Sequence, residues 1–223
     1  MRKIRQPDPT CARVASHTTT GNAVVRGKMR PGGRTEKIRK AVLATVLRLL
    51  ESGNTTFSFQ DVAKDAGVHF GTIYARWPNR ASLVMAAYEE HIRKLEVPFT
   101  DDWEANLYTL GTALRDFLND PVEITTNKLL LSSEDKLFRD LMVNRFNLLA
   151  ADLATPLERA KERGLVRKSA DAVLVIYMLV SPIISLILYT GKVPDDNGVR
   201  SLVDHLIHSC RAHSADPSPL VSH

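Results

Sequence analysis

Cysteine is scarce in this chain, and its scarcity excludes the small disulfide-rich folds of secreted proteins. The 223 residues include two cysteines, Cys11 and Cys210, and neither has a second cysteine or a histidine at metal-ligand spacing. Two isolated thiols make no disulfide framework, so we expect the protein to work in a reducing compartment. The N-terminus carries charges but no apolar segment typical of a secretory signal. We therefore expect a cytoplasmic protein with no metal and no cofactor.

The motifs of common enzyme classes are also missing. The sequence contains no glycine-rich phosphate loop, no HExxH motif and no GxSxG motif. Asp204, His205 and His208 share one stretch, but no further acid or cysteine completes a metal set nearby, and a solvated helix face explains their spacing. A helical enzyme therefore stands only as an alternative. Strand-type alternation is not convincing anywhere, which predicts an all-α fold.

The basic charge is concentrated at one end. Residues 1–33 carry seven Lys/Arg against one Asp, residues 34–96 carry ten against seven acids, and residues 97–223 carry thirteen against seventeen. The net charge of +5 thus belongs to the N-terminal part. Such an asymmetry suits a polyanionic partner, although unstructured tails are often basic without a function.

Residues 58–80 hold the most informative pattern, two short helices joined by a tight turn. Ser58 is placed to cap the first helix, and Asp61 three residues later makes a variant of the capping box. Gly67 permits the positive φ that a sharp helix–helix turn needs. These features predict a helix-turn-helix whose second helix enters the major groove of double-stranded DNA.

The side chains on this motif divide into two predicted groups. Hydroxyls and guanidinium groups suit phosphate oxygens, which fix register without reading sequence. We predict that the phosphate-facing set is Thr72, Tyr74, Arg76 and Arg80. The predicted groove face is His69, Phe70, Gly71 and Ala75, with Thr72 shared. Thr56 and Ser58 precede the first helix of the motif and are further phosphate candidates, although capping alone also explains Ser58.

Helical spacing continues to the end of the chain. Helices are expected over about 35–52, over 79–96 with Asn79 as its cap, and then in five or so segments between 101 and 211. Asp101 and Ser169 are the expected caps of two of these, and Pro156 is expected to kink or split the longest one. Residues 1–33 and 212–223 are expected to be disordered.

An uncharged run covers residues 172–190 and has two interpretations. It is long enough to span a bilayer, which would make the protein a membrane-associated regulator. Ser181 and Pro182 in its middle, and basic residues on both flanks, favour instead a helix covered on all sides, as at a subunit interface.

The run FSFQDVAKDAGVHFGTIYARWPNRASLV, together with the helices before and after it, resembles the DNA-binding domain of the tetracycline-repressor (TetR) family over about residues 35–96. The Ala-Gly-Val turn, Gly71-Thr72-x-Tyr74, Trp77 and Asn79-Arg80 carry the match. Residues 97–211 are similar to the family only in layout, as a helical ligand-binding and dimerisation domain. Phe70 and Ala75 stand where the family often has polar or basic residues, so the operator sequence does not follow from the resemblance.

The resemblance implies a homodimeric transcription regulator, usually a repressor. In this family the last two helices dimerise, and a small-molecule effector in the C-terminal domain moves the fourth helix and spoils binding to a palindromic operator. The basic arm (Arg26, Lys28, Arg30 and Arg34) could reach the adjacent minor groove, as homeodomain arms do, or add only non-specific affinity.

A small apolar effector needs a mostly apolar pocket with few polar groups. The predicted lining residues are His91, Trp103, Leu107, Met142, Phe146, Tyr177 and Met178, with His91 and Asn147 as polar anchors. Ordinary core packing is the alternative for each of them.

Overall fold

The computed structural model describes residues 33–212 as an all-helical fold. The expected disordered ends, including Arg26, Lys28 and Arg30, lie outside the described residues, as does the side chain of Arg34. The described part contains nine helices, in agreement with the predicted fold class. They are α1 (Arg34–Glu51), α2 (Phe59–Asp65), α3 (Phe70–Tyr74), α4 (Arg80–Ile92), α5 (Trp103–Leu118), α6 (Pro121–Ser132), α7 (Lys136–Glu162), α8 (Ala172–Thr190) and α9 (Asp196–Cys210).

The first of two apolar cores belongs to the N-terminal helices but does not stop with them. Val42, Val46 and Leu83 are completely buried in it. Phe138 and Met142, at the start of α7, pack into the same cluster, and α6 contributes two further residues to it. The predicted division at residue 97 is therefore not a division of the core, because the first four helices share buried surface with α6 and α7.

The second core lies among α5, α7, α8 and α9. Leu110, Leu179 and Val203 are among its most buried members, at 0–1 % exposure. Gly111 on α5 lets α9 approach closely, because a Cβ there would lie 3.0 Å from methyl carbons of Val199 and Val203. An isolated antiparallel bridge, Val166 to Arg211, ties the end of α9 to the segment before α8.

The uncharged segment forms α8, which packs against α5, α7 and α9. By length and composition it is apolar enough to cross a membrane, with a mean hydropathy of 2.4, and 33 % of the tested window is buried in the structure. Leu179 and Ile183 lie in the core, whereas Leu174 and Met178 are about half exposed on the opposite face. The helix thus has one covered face and one apolar face that this single chain leaves open.

Three predicted details of helix ends need correction. The cap of α5 is Asp102 rather than Asp101, because the Asp102 carboxylate accepts two backbone N–H bonds of the first turn. The cap of α8 is Asp171 rather than Ser169, because the Asp171 carboxylate accepts the backbone N–H of Leu174 at 3.0 Å. Proline in mid-helix does not split α7, which runs unbroken past Pro156.

Candidate nucleic-acid interface and effector cavity

The helix-turn-helix is organised by short-range hydrogen bonds. Ser58 Oγ accepts the backbone N–H of Asp61 at 3.2 Å, and the Asp61 carboxylate accepts the backbone N–H of Ser58 at 2.7 Å. The Ser58 backbone N–H and hydroxyl both donate to the Asp61 carboxylate, and these hydrogen bonds hold the pKa of Asp61 below its ordinary value. Gly67 turns the chain with φ +64°. The predicted capping box and glycine turn are both confirmed.

The short helix α3 is anchored by its inner face and capped by histidine. Ile73 is fully buried and Trp77, just beyond the helix, is 7 % exposed. His69 Nδ1 accepts the backbone N–H of Gly71 at 3.2 Å, so this exposed ring is the N-cap. A Cβ on Gly71 would lie 3.3 Å from the same nitrogen. The glycine therefore leaves room for the capping ring, and it also keeps this part of the surface flat.

Three aromatic rings of α2 and α3 pack together, the exposed Phe70 and Tyr74 and the buried Phe59. Tyr74 is 52 % exposed and its ring lies 4.9 Å from that of Phe70 and 4.9 Å from that of Phe59, measured between centroids. The sequence analysis assigned Tyr74 and Phe70 to different faces, whereas the structure makes them neighbours. The other residues on this exposed surface are Thr56, Ser58, His69, Gly71 and Ala75.

The two arginines of the predicted phosphate set are already engaged inside the protein. Arg76 donates to the Thr35 carbonyl of α1 at 3.1 Å. Arg80 lies 4.8 Å over the Phe57 ring and donates to the Thr55 carbonyl, and burial lowers its pKa. Both guanidinium groups are partly buried, as is Thr72. They therefore brace the helices around α3.

Helix α4 connects this surface to the rest of the protein. Asn79 caps it through a capping box with Ser82, as its position predicted. Arg39 of α1 pairs with Glu90 at 2.7 Å, and Arg145 of α7 pairs with Glu89 at 2.8 Å. Ion pairs on two sides hold α4 between the DNA-facing helices and the C-terminal bundle.

A cavity of about 100 Å³ lies between α4 and α5–α8. Apolar side chains form most of its wall, and the polar lining residues are Tyr88 from α4, Glu123 and Asn127 from α6, and Tyr177 from α8, whose hydroxyl is bound to Asn147. Two of the predicted effector residues line it, Phe146 and Tyr177. The other lining residues are Leu114, Phe117, Leu118, Leu149, Ala150, Leu153, Ile176, Val180 and Ile184.

The remaining predicted effector residues lie elsewhere. Trp103 and Leu107 line a separate gap of about 10 Å³ with Phe99 and Pro156, where they fill core rather than a cavity. Met142 is completely buried in the N-terminal core.

Three further predicted residues also lie outside the cavity wall. Met178 is 48 % exposed on the open face of α8. Asn147 is exposed and accepts a hydrogen bond from the Tyr177 hydroxyl. His91 is fully buried behind Glu123 and stacks on Phe117 at 5.0 Å. The positions of these three residues depend on how each helix is rotated about its axis, and spacing along the chain does not determine that rotation.

The polar end of the cavity is built on one buried carboxylate. Glu123 is 1 % exposed, and its Oε2 accepts the Tyr88 hydroxyl at 3.2 Å. Its Oε1 lies 3.3 Å from His91 Nε2, and Asp120 Oδ1 lies 3.9 Å from the same nitrogen. Burial raises the pKa of Glu123, which the neighbouring His91 opposes, and burial together with the carboxylate raises the pKa of Tyr88.

Sequence reasoning missed both Tyr88 and Glu123. Tyr88 precedes the predicted His91 by three residues, so helical spacing alone would have placed the two on one face of α4. Glu123 lies in the first turn of α6, where an acidic residue is ordinary. Its burial follows from the packing of α6 among α1, α5, α7 and α8, where the Glu123 side chain meets Tyr88 and His91 of α4.

A capped two-helix motif with an exposed second helix defines a helix-turn-helix protein, and the comparisons with known proteins give the family. The model of the "Tetracyclin repressor-like, C-terminal domain" matches residues 97–206. This match, together with the HTH-type relatives and the TetR-family structures described below, supports a TetR-family regulator with a DNA-binding helix-turn-helix. Regulators of this family bind DNA operators and usually act as dimers.

Individual relatives agree along most of the chain. It is 29 % identical over 190 residues to YdeS, an uncharacterised HTH-type transcriptional regulator of Bacillus subtilis, covering 83 % of this chain and 96 % of YdeS. It is 29 % identical over 149 residues to the HTH-type transcriptional regulator AqdR of Rhodococcus erythropolis, covering 66 % of this chain and 72 % of AqdR.

Solved structures share the fold. A TetR transcriptional regulator from Agrobacterium tumefaciens superposes with a TM-score of 0.61 at 21 % identity, covering 78 % of this chain and 94 % of that one. Because the relatives are transcriptional regulators, neither the enzyme nor the membrane-anchored alternative is favoured.

Proposed function

We propose that this protein is a cytoplasmic, dimeric repressor that binds a palindromic operator through α3 and releases it when a small apolar molecule fills the cavity beside α4. The observation that carries the proposal is the position of Tyr88. It belongs to the helix that follows the DNA-facing motif, and it also forms part of the cavity wall. A molecule in the cavity therefore touches the helix that positions α3.

The DNA contacts are assigned from exposure. Tyr74 projects a hydroxyl beside two aromatic rings, which suits a phosphate contact at the groove edge. Ala75 and Phe70 are exposed where base edges would lie, and an apolar side chain there suits a thymine methyl group. His69 and Gly71 complete this face, and Thr56 and Ser58 flank it. Arg76 and Arg80 act mainly by holding the helices in place.

Selection of random duplexes, followed by anisotropy titrations, tests these contacts. Tyr74→Phe keeps the ring packing but removes the hydroxyl, so it should weaken binding to all sequences alike, by about tenfold. Ala75→Arg should instead change the preferred bases. Tyr189→Phe, a matched change of an 80 %-exposed tyrosine on α8, should leave both unchanged. The assignment of Tyr74 to phosphate and of Ala75 to bases would be wrong if Tyr74→Phe changed the preferred bases and Ala75→Arg did not.

The open face of α8 is the proposed dimer interface. Leu174 and Met178 are 52 % and 48 % exposed on it. Burying such a face on a second copy is favourable in proportion to the apolar area removed from water. Leu206 of α9 and Ile184 of α8 are not part of this open face, because Leu206 is buried in the chain's own core and Ile184 lines the cavity.

Sedimentation tests the interface. Met178→Glu should give monomers at micromolar concentration. Val143→Glu changes a residue of equal exposure on α7 and should leave a dimer. A dimer that survives Met178→Glu would place the interface elsewhere.

The switch requires that the effector bind the two forms of the protein with different affinity, a coupling of typically ~1–3 kcal/mol. Phe146 lies in the cavity, 6.1 Å from Tyr88 between ring centroids. Phe146→Ala should therefore change the effector concentration that releases operator DNA while leaving apo affinity within a few-fold. Leu148→Ala, at an exposed position on the same helix, is the control. Loss of apo DNA binding and of stability together in Phe146→Ala would assign that residue to the core.

A further inference from the structure

We propose that the cavity is selective for a compact apolar molecule that carries a protonated amine, and that Glu123 receives the ammonium group. This inference rests on the proposed function, since it names the chemical class of the effector. It concerns the polar end formed by Tyr88, Glu123 and Asn127, which the family's general properties leave unspecified.

The carboxylate of Glu123 has hydrogen-bond acceptor positions that no donor from the described residues occupies. Its Oε2 accepts from the Tyr88 hydroxyl at 3.2 Å and from Asn127 Nδ2 at 3.4 Å. Its Oε1 is buried without an aligned hydrogen bond within the described part of the chain, and His91 Nε2, which is also unpartnered there, lies 3.3 Å away. A carboxylate offers about four acceptor positions, so the buried carboxylate of Glu123 accepts fewer hydrogen bonds than it can.

The other two polar groups at this end are also left as acceptors. Asn127 Nδ2 donates to the Glu123 carbonyl at 2.9 Å and to the carboxylate, which uses both of its hydrogens. The Tyr88 hydroxyl uses its single hydrogen on Glu123. What remains are the Tyr88 oxygen lone pairs and Asn127 Oδ1. The polar end therefore accepts hydrogen bonds, and a ligand must supply the donors.

The charges point the same way. Glu123 and Asp120 both lie close to His91, so two carboxylates share one imidazole. The nearby guanidinium of Arg145 is paired with Glu89. An anionic ligand would meet repulsion at this end, whereas an ammonium would offset the cost of burying the Glu123 carboxylate. Although burial raises the pKa of Glu123, a cation beside it favours the ionised form.

The apolar wall limits the rest of the ligand. Phe117, Phe146 and Ile184 belong to it, and the cavity volume is about 100 Å³. A cavity of about 150 Å³ holds benzene, so the apolar body that fits this smaller cavity is a short alkyl chain. The effector class is thus a compact primary amine with an apolar body.

Calorimetric titration of the full-length protein with hexylamine, hexanol and hexanoate separates the head-group classes on one constant tail. We expect hexylamine to bind at least tenfold more tightly than hexanoate, with hexanol between them. Glu123→Gln should remove the preference for the amine, whereas Asp152→Asn, an exposed carboxylate on α7, should keep it. Ile184→Trp fills the cavity and should abolish binding of hexylamine.

Four results would overturn the proposal. They are hexanoate binding as tightly as hexylamine, an unchanged preference in Glu123→Gln, hexylamine binding that survives Ile184→Trp, and no binding of any probe at millimolar concentration. The order of the three probes on the wild-type protein decides the matter even if Glu123→Gln fails to fold. Operator release is measured separately. Hexylamine that binds without releasing DNA would contradict the proposed switch alone, and release by hexanoate alone would contradict the amine class alone.

Discussion

Two glycines, Gly67 in the helix-turn-helix and Gly111 in the C-terminal bundle, show how differently the two halves are held together. Gly67 has φ +64° and open space around the position of a Cβ. Gly111 sits in ordinary helix, but a Cβ there would lie 3.0 Å from two valine methyl groups of α9. The first glycine is required by the backbone of its own turn. The second is required by a helix nearly ninety residues further along the chain.

The contrast extends to the hydrogen bonds of each half. In the DNA-facing motif, Ser58, His69 and Asn79 each cap a helix by binding a backbone N–H two or three residues away. The cavity depends on Glu123 meeting Tyr88, a contact across 35 positions. Short-range hydrogen bonds thus shape the helix-turn-helix, whereas contacts between residues distant in sequence shape the cavity.

Overpacking at Gly111 should produce the largest change. Gly111→Leu forces a side chain into the contact between α5 and α9, so the free energy of unfolding should fall by about 3 kcal/mol. Urea denaturation at fixed protein concentration measures it. Thr112→Leu, one position along on the exposed side, should stay within ~0.5 kcal/mol of wild type. Equal free energies of unfolding for Gly111→Leu and Thr112→Leu would show that the contact with α9 does not require a glycine at position 111.

The change at Gly67 should be smaller and should depend on backbone chemistry alone. Gly67→Ala puts a Cβ on a left-handed residue, which costs about 1–2 kcal/mol. Gly67→Asn should lose less, because asparagine tolerates that conformation better. The same denaturation experiment compares them. If Gly67→Asn and Gly67→Ala lower the free energy of unfolding equally, packing rather than backbone conformation requires the glycine at position 67. Gly67 and Gly111 would then be required for the same reason.

Removing one cap should cost less again. Ser58→Ala deletes an acceptor for the first turn of α2 and should lower the free energy of unfolding by about 1 kcal/mol. The pKa of Asp61 is lower in the folded protein than in the unfolded chain. The stability that the ionised Asp61 contributes is therefore fully present above the pKa of the unfolded state, and it is lost as the pH falls through the pKa of the folded state. The effect of Ser58→Ala should therefore shrink in acid. If Ser58→Ala lowers the free energy of unfolding equally at every pH, Ser58 and Asp61 do not act together as a capping box.

Glu123 should give the smallest and most specific signal. Its pKa is raised by burial, so the folded state holds the proton more tightly, and stability contributed by this group falls as the pH rises from about 4 toward neutrality. His91, Tyr88, Asp120 and Arg145 are the charged or titratable groups around it. Thermal unfolding of Glu123→Gln should improve relative to wild type over that range. The opposite trend would mean that His91 outweighs burial.

The same contrast explains which predictions succeeded. Ser58 with Asp61, Gly67, and Asn79 were recognisable because each signal and its structural effect lie within a few residues. The effector residues were chosen by residue type along amphipathic helices. Phe146 and Tyr177 line the cavity, whereas Met142 and Trp103 fill core. Residue type indicates that a side chain is buried, but not in which of two adjacent cores.

Caps, turns and the composition of α8 were decided by the sequence itself, because φ preference, hydrogen bonding to neighbouring amides and hydropathy act over short distances along the chain. The sharing of the first core with α6 and α7 was decided only in three dimensions, as was the meeting of Tyr88, Glu123 and Asn127 at one end of a cavity. Helix rotation and crossing set these contacts. They result from the joint packing of side chains distant in sequence, which no local pattern records.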